Sequence, residues 1–447
     1  MSTSALPPGP PLPAALQGIL MLNFWAQYVS ACRRRYGEVF TLRVASVGTM
    51  VYLSDPADIK TVFGGDPAVY HAGEANAMLA GLLGPSSVLV IDGDTHRDRR
   101  RLMLAPFGRE AVARQTEVMA EISAANIAGW PVGTEFPVAP RMSAITLDII
   151  LRTVIGTTDE DRLARLRAVM PKLLSLGAWD SLALSVPGLQ RLRPWRGFRD
   201  RLREADRLLY EEIAERRGDP GLEHRADALS MMVRSGMSDA ELRDQLMTLL
   251  VAGHDTTATG LSWALELLTR HPAILDKATH AARAGGPDGD DYLDAVCKEV
   301  LRIRPVVFEV GRVLTEPTEV SGHLLPAGVM VAPGIGLVHA DPARYPHPDR
   351  FDPDRMLGAA LGPSTYLPFG GGNRRCLGAN FAQVEMAVVL REVLRRVDLA
   401  STTAPGERQR IKGVILVPHR GARIRVRSMR DESAPDRSAC PHHDTAE

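Results

Sequence analysis

Apolar positions spaced three and four residues apart predict helices over much of the chain. The predicted helical segments share this spacing and cover residues 98–104, 109–128, 142–154, 160–176, 195–217, 291–303 and 377–396. Short runs rich in Val, Thr and Phe predict strands at residues 38–44, 49–53, 309–314 and 329–332. Helix dominates, so the predicted fold class is mainly α with a minor β region.

The longest predicted helix runs to Arg270 and has clear signals at both ends. Ser238 is a good N-cap, and Glu241 three residues later completes a capping-box pattern. The dipeptide 271–272, His-Pro, ends the pattern. At 1.5 Å per residue the helix would be about 50 Å long. It is apolar on most faces over residues 246–268, which predicts that it is buried at the centre of a large protein.

The 447 residues contain no segment that resembles a linker, so we expect one large domain. The expected boundaries are a Pro-rich start with an N-terminal helix over residues 1–30, the domain over 31–427 and a polar, disordered tail over 428–447. The apolar stretch 16–28 either packs as an ordinary helix or touches a membrane. No run approaches 18 consecutive apolar residues, so no transmembrane segment is expected.

Charge and cysteine content exclude several classes of protein. Lys plus Arg number 53 and Asp plus Glu number 53, so the net charge gives no reason to expect nucleic-acid binding. The four cysteines lie far apart, which argues against a disulfide framework and a closed zinc site and favours a cytoplasmic protein. The tail sequence Cys440-Pro-His-His could hold a metal, but its ligands are few and we treat it as incidental.

The most informative stretch is residues 369–378, FGGGNRRCLG. Three consecutive glycines let the backbone turn tightly and approach a flat ligand. Cys376 stands just before an amphipathic helix, whose N-terminus is expected to lower the pKa of the thiol. A thiolate is the form that binds a soft metal. The alternative is a buried structural cysteine beside a glycine turn.

The spacing Phe-x-x-Gly-x-x-x-Cys-x-Gly resembles that of the cytochrome P450 family, and the resemblance covers residues 37–427. It implies a single large P450-type domain with a long central helix over the haem. The cofactor would be haem b, iron protoporphyrin IX. Cys376 would be the axial ligand of the iron, and Phe369, Gly370 and Gly378 would contact the cofactor.

A second motif, residues 252–257 with sequence AGHDTT, lies in the middle of the long helix. Glycine and polar side chains are poor choices for a buried helix. A Thr hydroxyl can bond back to an earlier carbonyl and open the helix locally. The resemblance implies that Asp255 and Thr256 deliver protons to dioxygen and that Ala252 lies against the haem. The alternative is a kink whose polar groups are all satisfied.

A third motif is structural. Glu299 and Arg302 share one face of their predicted helix. The resemblance implies a buried ion pair that is joined by a second arginine, Arg355, from a Pro-x-Arg pattern. Met356 stands where the family more often has Phe.

The two propionates of a haem require cations, and the resemblance assigns four residues to them. Arginine suits carboxylates because it donates paired hydrogen bonds. The candidates occur in the order of the family, although each could instead be a solvated surface residue: His96, Arg100, Arg312 and Arg374.

The implied function is that of a haem-thiolate monooxygenase, which inserts one oxygen atom of O2 into an apolar substrate by hydroxylation or epoxidation. The segments expected to line the pocket are apolar with few charges: residues 75–90, 170–186, 249–252 and 306–310. They favour a terpenoid, steroid or fatty-acid-like guest, with Glu309 and Asp180 as polar contacts. Ordinary core packing explains the same composition.

No flavin or iron–sulfur region follows the cysteine helix, so electrons are expected from a separate ferredoxin and ferredoxin reductase. An acidic ferredoxin could be steered by a basic face. The residues of that face are Arg97, Arg99, Arg100, Arg101, Arg374 and Arg375.

Three other functions remain as alternatives. A haem-binding sensor needs no proton relay, and a peroxide-driven enzyme usually lacks the acid–alcohol pair, so Asp255 and Thr256 argue against both. The third alternative is a helical binding protein without haem, in which the glycine loop is only a turn.

Overall fold

The computed structural model describes residues 6–45, 47–174 and 196–430. Three sequence predictions lie wholly or partly outside these residues: the polar contact from Asp180, the pocket segment 170–186 beyond residue 174, and the tail with Cys440. Within the described residues the fold is mainly α with a small β region, arranged as a single domain.

Helices form most of the described chain. In chain order they are α1 Ala14–Tyr36, α2 Pro56–Gly64, α3 Ala72–Ala75, α4 Ala80–Leu83, α5 Gly93–Met103, α6 Arg109–Ala113, α7 Thr116–Ile127, α8 Ala139–Ile149, α9 Glu160–Leu174, α10 Arg196–Gly218, α11 Ala228–Arg234, α12 Asp239–Arg270, α13 Pro272–Ala284, α14 Gly286–Ile303, α15 Ile335–His339 and α16 Ala379–Arg396.

The strands are short and form four small sheets. They are β1 Val39–Val44, β2 Gly48–Leu53, β3 Tyr70–His71, β4 Glu135–Pro137, β5 Arg312–Leu314, β6 Thr318–Val320, β7 His323–Leu325, β8 Met330–Pro333, β9 Val397–Leu399, β10 Gln409–Lys412, β11 Ile415–Pro418 and β12 Arg423–Met429. The largest sheet has the order β1-β2-β8-β5-β3. Its first pair is antiparallel, with Val39 opposite Leu53, and β2 pairs with β8 in parallel.

The central helix α12 agrees closely with its prediction. Ser238 caps it, and the capping box with Glu241 is complete. Its apolar faces are buried within the main hydrophobic core, which includes the fully buried Trp263. The Trp263 indole N–H donates to the Leu416 carbonyl at 3.1 Å, so the hairpin β10–β11 is tied to this helix. Burial on almost every side explains why the helix lacks a charged stripe.

Three elements differ from the predictions. The helix predicted over residues 109–128 is divided into α6 and α7, and the Gln115 side chain between them donates to the Thr153 carbonyl at 3.4 Å. The helix predicted over 142–154 changes to a π-helical turn at Ile150–Ile155. Pro272, which we took only as a stop signal, also begins α13, because proline is well tolerated in the first turn of a helix.

A buried ion pair ties α14 to the loop that follows α15. The Arg302 guanidinium donates two hydrogen bonds to Glu299, at 2.7 and 2.8 Å, and both side chains are at most 1% exposed. Arg355 approaches the same carboxylate at 3.2 Å. Arg302 also donates to the carbonyls of His339 and Pro348, each at 2.8 Å. One charged group therefore fixes two separate stretches of backbone.

We predict that Glu299→Gln lowers the free energy of unfolding by about 3–5 kcal/mol, because it leaves buried guanidinium charge uncompensated. Urea denaturation of the purified protein measures the change. The matched control is Asp200→Asn, which breaks an exposed ion pair with Arg203 and should cost less than about 0.5 kcal/mol. A Glu299→Gln protein as stable as the control would contradict this account.

Candidate active site

The loop before α16 closes on itself at its cysteine. The Cys376 N–H donates to the Phe369 carbonyl at 2.8 Å, and the Arg375 N–H donates to the Gly372 carbonyl at 3.1 Å. Cys376 is accessible, whereas Cys32 and Cys297 are buried. The turn thus presents a sulfur atom at the edge of an interior surface, which is the position that a metal ligand requires.

The environment of the thiol corrects one expectation. Burial by the surrounding protein raises the pKa of Cys376, and the Gly378 N–H and the charges of Arg100 and Arg375 oppose the increase. The helix terminus was expected to lower the pKa, but α16 begins only at Ala379 and desolvation outweighs its effect. Coordination to a metal removes the proton of a ligating thiol whatever its pKa without the metal.

Two of the three glycines are required by contact with α2. A Cβ atom added at Gly372 would overlap the carbonyl oxygen of Phe63, and one added at Gly371 would overlap the ring of the same residue. Gly372 also has a φ of +65°. An added Cβ at Gly378 would meet only Phe107, at an ordinary 3.9 Å. The protein itself therefore explains the glycines at 371 and 372 but not the one at 378.

The central helix is unbroken at its polar motif, contrary to the expected local opening. The Thr256 hydroxyl does donate a hydrogen bond back to the Ala252 carbonyl, at 2.6 Å, but the helix continues without a break to Arg270. Ala252 is exposed although α12 is otherwise largely buried. An added side chain at Gly253 would collide with Ile150, so this glycine allows close packing against the π-helical turn. The motif therefore gives α12 an accessible surface at its centre.

Asp255 is held by a lysine that the sequence analysis did not identify. The Lys412 ammonium donates to both carboxylate oxygens, at 2.8 and 3.1 Å, and the two side chains are 24% and 21% exposed. Lys412 is the last residue of β10, at the tip of the hairpin that Trp263 ties to the same helix. The two residues are 157 positions apart in the sequence, so local spacing could not predict that they pair.

The four predicted propionate ligands lie in one cluster. Burial, together with the charges of Arg374 and Arg100, lowers the pKa of His96 to about 4, and Arg312 acts in the same direction. Burial and the charge of Arg374 lower the pKa of Arg312 to about 10. Arg374 donates to the Val88 and Ile91 carbonyls and to Asp92, at 3.2, 2.6 and 2.5 Å. Side chains from three separate segments therefore share one electrostatic environment.

The charges in this cluster do not balance. Arg100, Arg312 and Arg374 carry three positive charges, and Asp92 supplies one negative charge, which leaves two positive charges with His96 neutral. Arg312 is only 5% exposed and forms no ion pair with any described residue. A buried guanidinium is costly without an anion. Two carboxylates would complete the balance, so these residues fit the two propionates of a haem.

Two further buried polar residues were given no role by the sequence analysis, one on α16 and one within the central motif itself. Burial raises the pKa of Glu385 on α16 well above its ordinary value, and the Thr257 hydroxyl opposes the increase. His254 lies 2.8 Å from the Ser143 hydroxyl, and burial lowers its pKa to about 4. One feature of the sequence could have drawn attention to Glu385: it is an acidic residue at an apolar position of its helix, four residues after Phe381.

The segment 306–310, which was expected to line the pocket, contains an unusual carboxyl group. Burial raises the pKa of Glu309 to about 8, and the Trp25 indole acts in the opposite direction. Its Oε2 atom has no hydrogen-bond partner among the described residues. The neighbours Val306 and Phe308 belong to hydrophobic clusters, so the segment is largely core.

The expected basic face is smaller in the structure than in the sequence. Arg97 and Arg101 are 74% and 78% exposed, and they pair with Asp94 and Asp98 on the same helix. Arg99 turns away to pair with Glu241, and Arg100 donates to the Arg375 carbonyl at 2.6 Å. The helical period separates these arginines onto different faces, which a run of letters does not show.

Comparison with known proteins agrees with the geometry. The family model for cytochrome P450 matches residues 7–425. A protein of Mycobacterium tuberculosis named cytochrome P450 135B1 is 65% identical over 97% of this chain and 94% of its own length. Cytochrome P450 135A1 of the same species is 40% identical over 95% of this chain and 96% of its own.

Solved structures show the same fold. Cyanobacterial CYP120A1 with bound retinoic acid superposes with a TM-score of 0.82 at 24% identity, covering 94% of this chain and 99% of the other. The haem domain of cytochrome P450DA gives 0.80 at 24% identity, covering 96% and 98%.

An accessible cysteine after a glycine turn, a polar motif in a long buried helix and a cationic cluster are features that a haem-thiolate site requires. The chain belongs to the cytochrome P450 family. It is a haem-thiolate monooxygenase, an oxidoreductase whose cofactor is haem b. Within the part of the chain that the structure describes, every helix is too short or too polar to span a bilayer.

Proposed function

We propose that this enzyme inserts one oxygen atom of O2 into a small apolar molecule, by hydroxylation or epoxidation, and that Cys376 would supply the thiolate that holds the haem iron. The observation that carries the proposal is the accessible, polar centre of α12, where Asp255 and Thr256 interrupt an otherwise buried apolar helix. Such a centre suits proton delivery beside an apolar guest.

Residues already described would hold the haem. Cys376 supplies the thiolate, and Phe369, Gly370, Gly378 and Ala252 are the proposed neighbours of the macrocycle. The propionates would be neutralised by the cluster of His96, Arg100, Arg312 and Arg374. When bound, the haem supplies the oxygen chemistry, and a thiolate ligand favours cleavage of the O–O bond.

Proton delivery is the proposed task of Asp255 and Thr256. The Lys412 ammonium holds the Asp255 carboxylate, and the Thr256 hydroxyl donates to its own helix. The side chains of successive helix residues point about 100° apart. A proton carried by Asp255 can therefore reach Thr256 only if the Asp255 side chain rotates or if water carries the proton between them. Lys412 is thus a positioning residue for the relay.

The substrate class follows from the lining. The partly buried Leu249 and Val307 pack against the main core, and Glu309 adds one carboxyl group in apolar surroundings. We propose a terpenoid, steroid or fatty-acid-like substrate. Optical titration of the ferric protein with an apolar compound library, read as a spin-state change, identifies ligands for the kinetic tests.

We predict that Asp255→Asn lowers turnover of the best ligand by about 100-fold, because a positioned acid contributes about 10²–10⁴ to proton transfer. The solvent isotope effect on turnover should increase, since proton delivery becomes limiting. Lys412→Arg should retain most activity and Lys412→Met should change the pH profile.

The control for this prediction is Asp200→Asn, which removes an exposed carboxylate on α10. Turnover of Asp255→Asn equal to that of this control, with an unchanged isotope effect, would remove Asp255 from the mechanism.

Electrons are proposed to come from a separate ferredoxin and its reductase in the cytoplasm. The three described cysteines are free, which supports a reducing compartment. The exposed Arg97 and Arg101 lie four residues apart on α5, and Arg375 beside the cysteine is also exposed. Together they form a surface that an acidic protein could approach.

We predict that the double variant Arg97→Glu and Arg101→Glu is reduced about tenfold more slowly by ferredoxin at low salt, because steering is electrostatic. Stopped-flow reduction measures the rate, and the difference should shrink as salt is added. Arg203→Glu is the matched control, since Arg203 is 68% exposed in a similar pair on α10. Equal rates for both variants would exclude docking at this face.

A further inference from the structure

Exposed large apolar side chains are concentrated in one short stretch of the chain. Fifteen such side chains are at least 36% exposed in the described chain, and five of them lie within residues 12–24. The other ten are scattered over the rest of the described chain. We call the five the α1 apolar face: Leu12, Leu16, Ile19, Leu22 and Phe24.

Three residues of the α1 apolar face lie on the side of the helix that does not pack on the protein, whereas Leu12 precedes the helix and Phe24 lies at a kink in it. Met21, Trp25 and Val29 are buried against β1 and its neighbours. Leu16, Ile19 and Leu22 follow each other at three-residue spacing on the opposite side and are 41%, 55% and 64% exposed. A surface helix normally carries charged and polar residues there. This helix is therefore apolar on both sides at its N-terminal half.

The segment before the helix is fixed in place. The Thr41 N–H donates to the Pro8 carbonyl at 2.9 Å, and the Thr41 hydroxyl donates to the Pro7 carbonyl at 2.7 Å. Leu12 is consequently presented beside α1. The Arg43 N–H donates to the Gln17 side chain at 3.0 Å, which brings the end of β1 to the same region. The turn after β1 carries a further exposed apolar residue, Val47.

The charge pattern favours a lipid surface as the occupant. No charged residue precedes Arg33 in the sequence, so nothing on the α1 apolar face would carry a charge into hydrocarbon. Exposed Arg34 and Arg35 stand at the end of α1, beyond a kink at Phe24, and exposed Arg43 lies beside the first part of the helix through its hydrogen bond to Gln17. An apolar face bordered by cations is the pattern of a helix that lies in a membrane interface.

We propose that the α1 apolar face inserts shallowly into the surface of a bilayer that contains anionic lipids, so that the enzyme is a peripheral membrane protein. The apolar side chains supply the attachment, and the bordering arginines strengthen it on anionic headgroups. This attachment does not depend on the identity of the substrate.

The test is sedimentation of the haem-loaded full chain with large vesicles of phosphatidylcholine, alone or mixed with phosphatidylglycerol. We expect binding that is stronger on the mixture, with the difference reduced by added salt. The triple variant Leu16→Gln, Ile19→Gln and Leu22→Gln should bind the mixed vesicles at least about tenfold more weakly. Gln is a good helix former and adds no charge.

The matched control replaces three similarly exposed residues elsewhere: Val118→Gln, Leu324→Gln and Leu357→Gln, at 36%, 38% and 42% exposure. It should bind vesicles like the unmodified protein. Unchanged haem content and thermal midpoint show that both triple variants are folded. Equal binding by the α1 variant and the control would overturn the proposal. Failure of the unmodified protein to bind vesicles would also overturn it. In that case, a dimer seen by size-exclusion chromatography that becomes a monomer in the α1 variant would identify a second copy of the chain as the occupant of this face.

Discussion

The buried bond between Glu299 and Arg302 determines where the active-site loop can lie. Neither side chain is exposed by more than 1%, and Arg302 donates to carbonyls on both sides of the stretch that leads from α15 towards the cysteine loop. Breaking the pair would leave a guanidinium in an apolar interior. The pair therefore connects α14, at the core, to a segment that has little regular structure of its own.

Around the cysteine, the protein tolerates charges that do not balance by themselves. Arg312 is buried without an acidic partner among the described residues, and burial raises the pKa of the Cys376 thiol. One ligand that brings two carboxylates and a metal cation would compensate both features. At the centre of α12, Asp255 is held by Lys412. The helix thus carries a paired acid beside a surface that is otherwise apolar.

Local sequence patterns predicted the helices and the cysteine loop well. They did not predict which side chains from distant parts of the chain pair with one another. The capping box at Ser238 and the glycine turn at Cys376 are encoded within a few residues, so the long helix and the loop could be anticipated. Lys412 reaches Asp255 across 157 residues, and Glu385 faces Thr257 from another helix. The separation of Arg97 and Arg101 from Arg99 depends on helical phase and on Glu241. Such features depend on tertiary packing, which spacing along the chain does not specify.

The central claim is that Cys376 ligates the haem iron as a thiolate. The most direct measurement is the absorption spectrum of the dithionite-reduced protein before and after carbon monoxide, compared with Cys376→Ala and with the control Cys32→Ala. The account predicts a far red-shifted Soret band that persists in Cys32→Ala and is lost in Cys376→Ala. A colourless protein, or a carbon monoxide band that is unaffected by replacing Cys376, would contradict it.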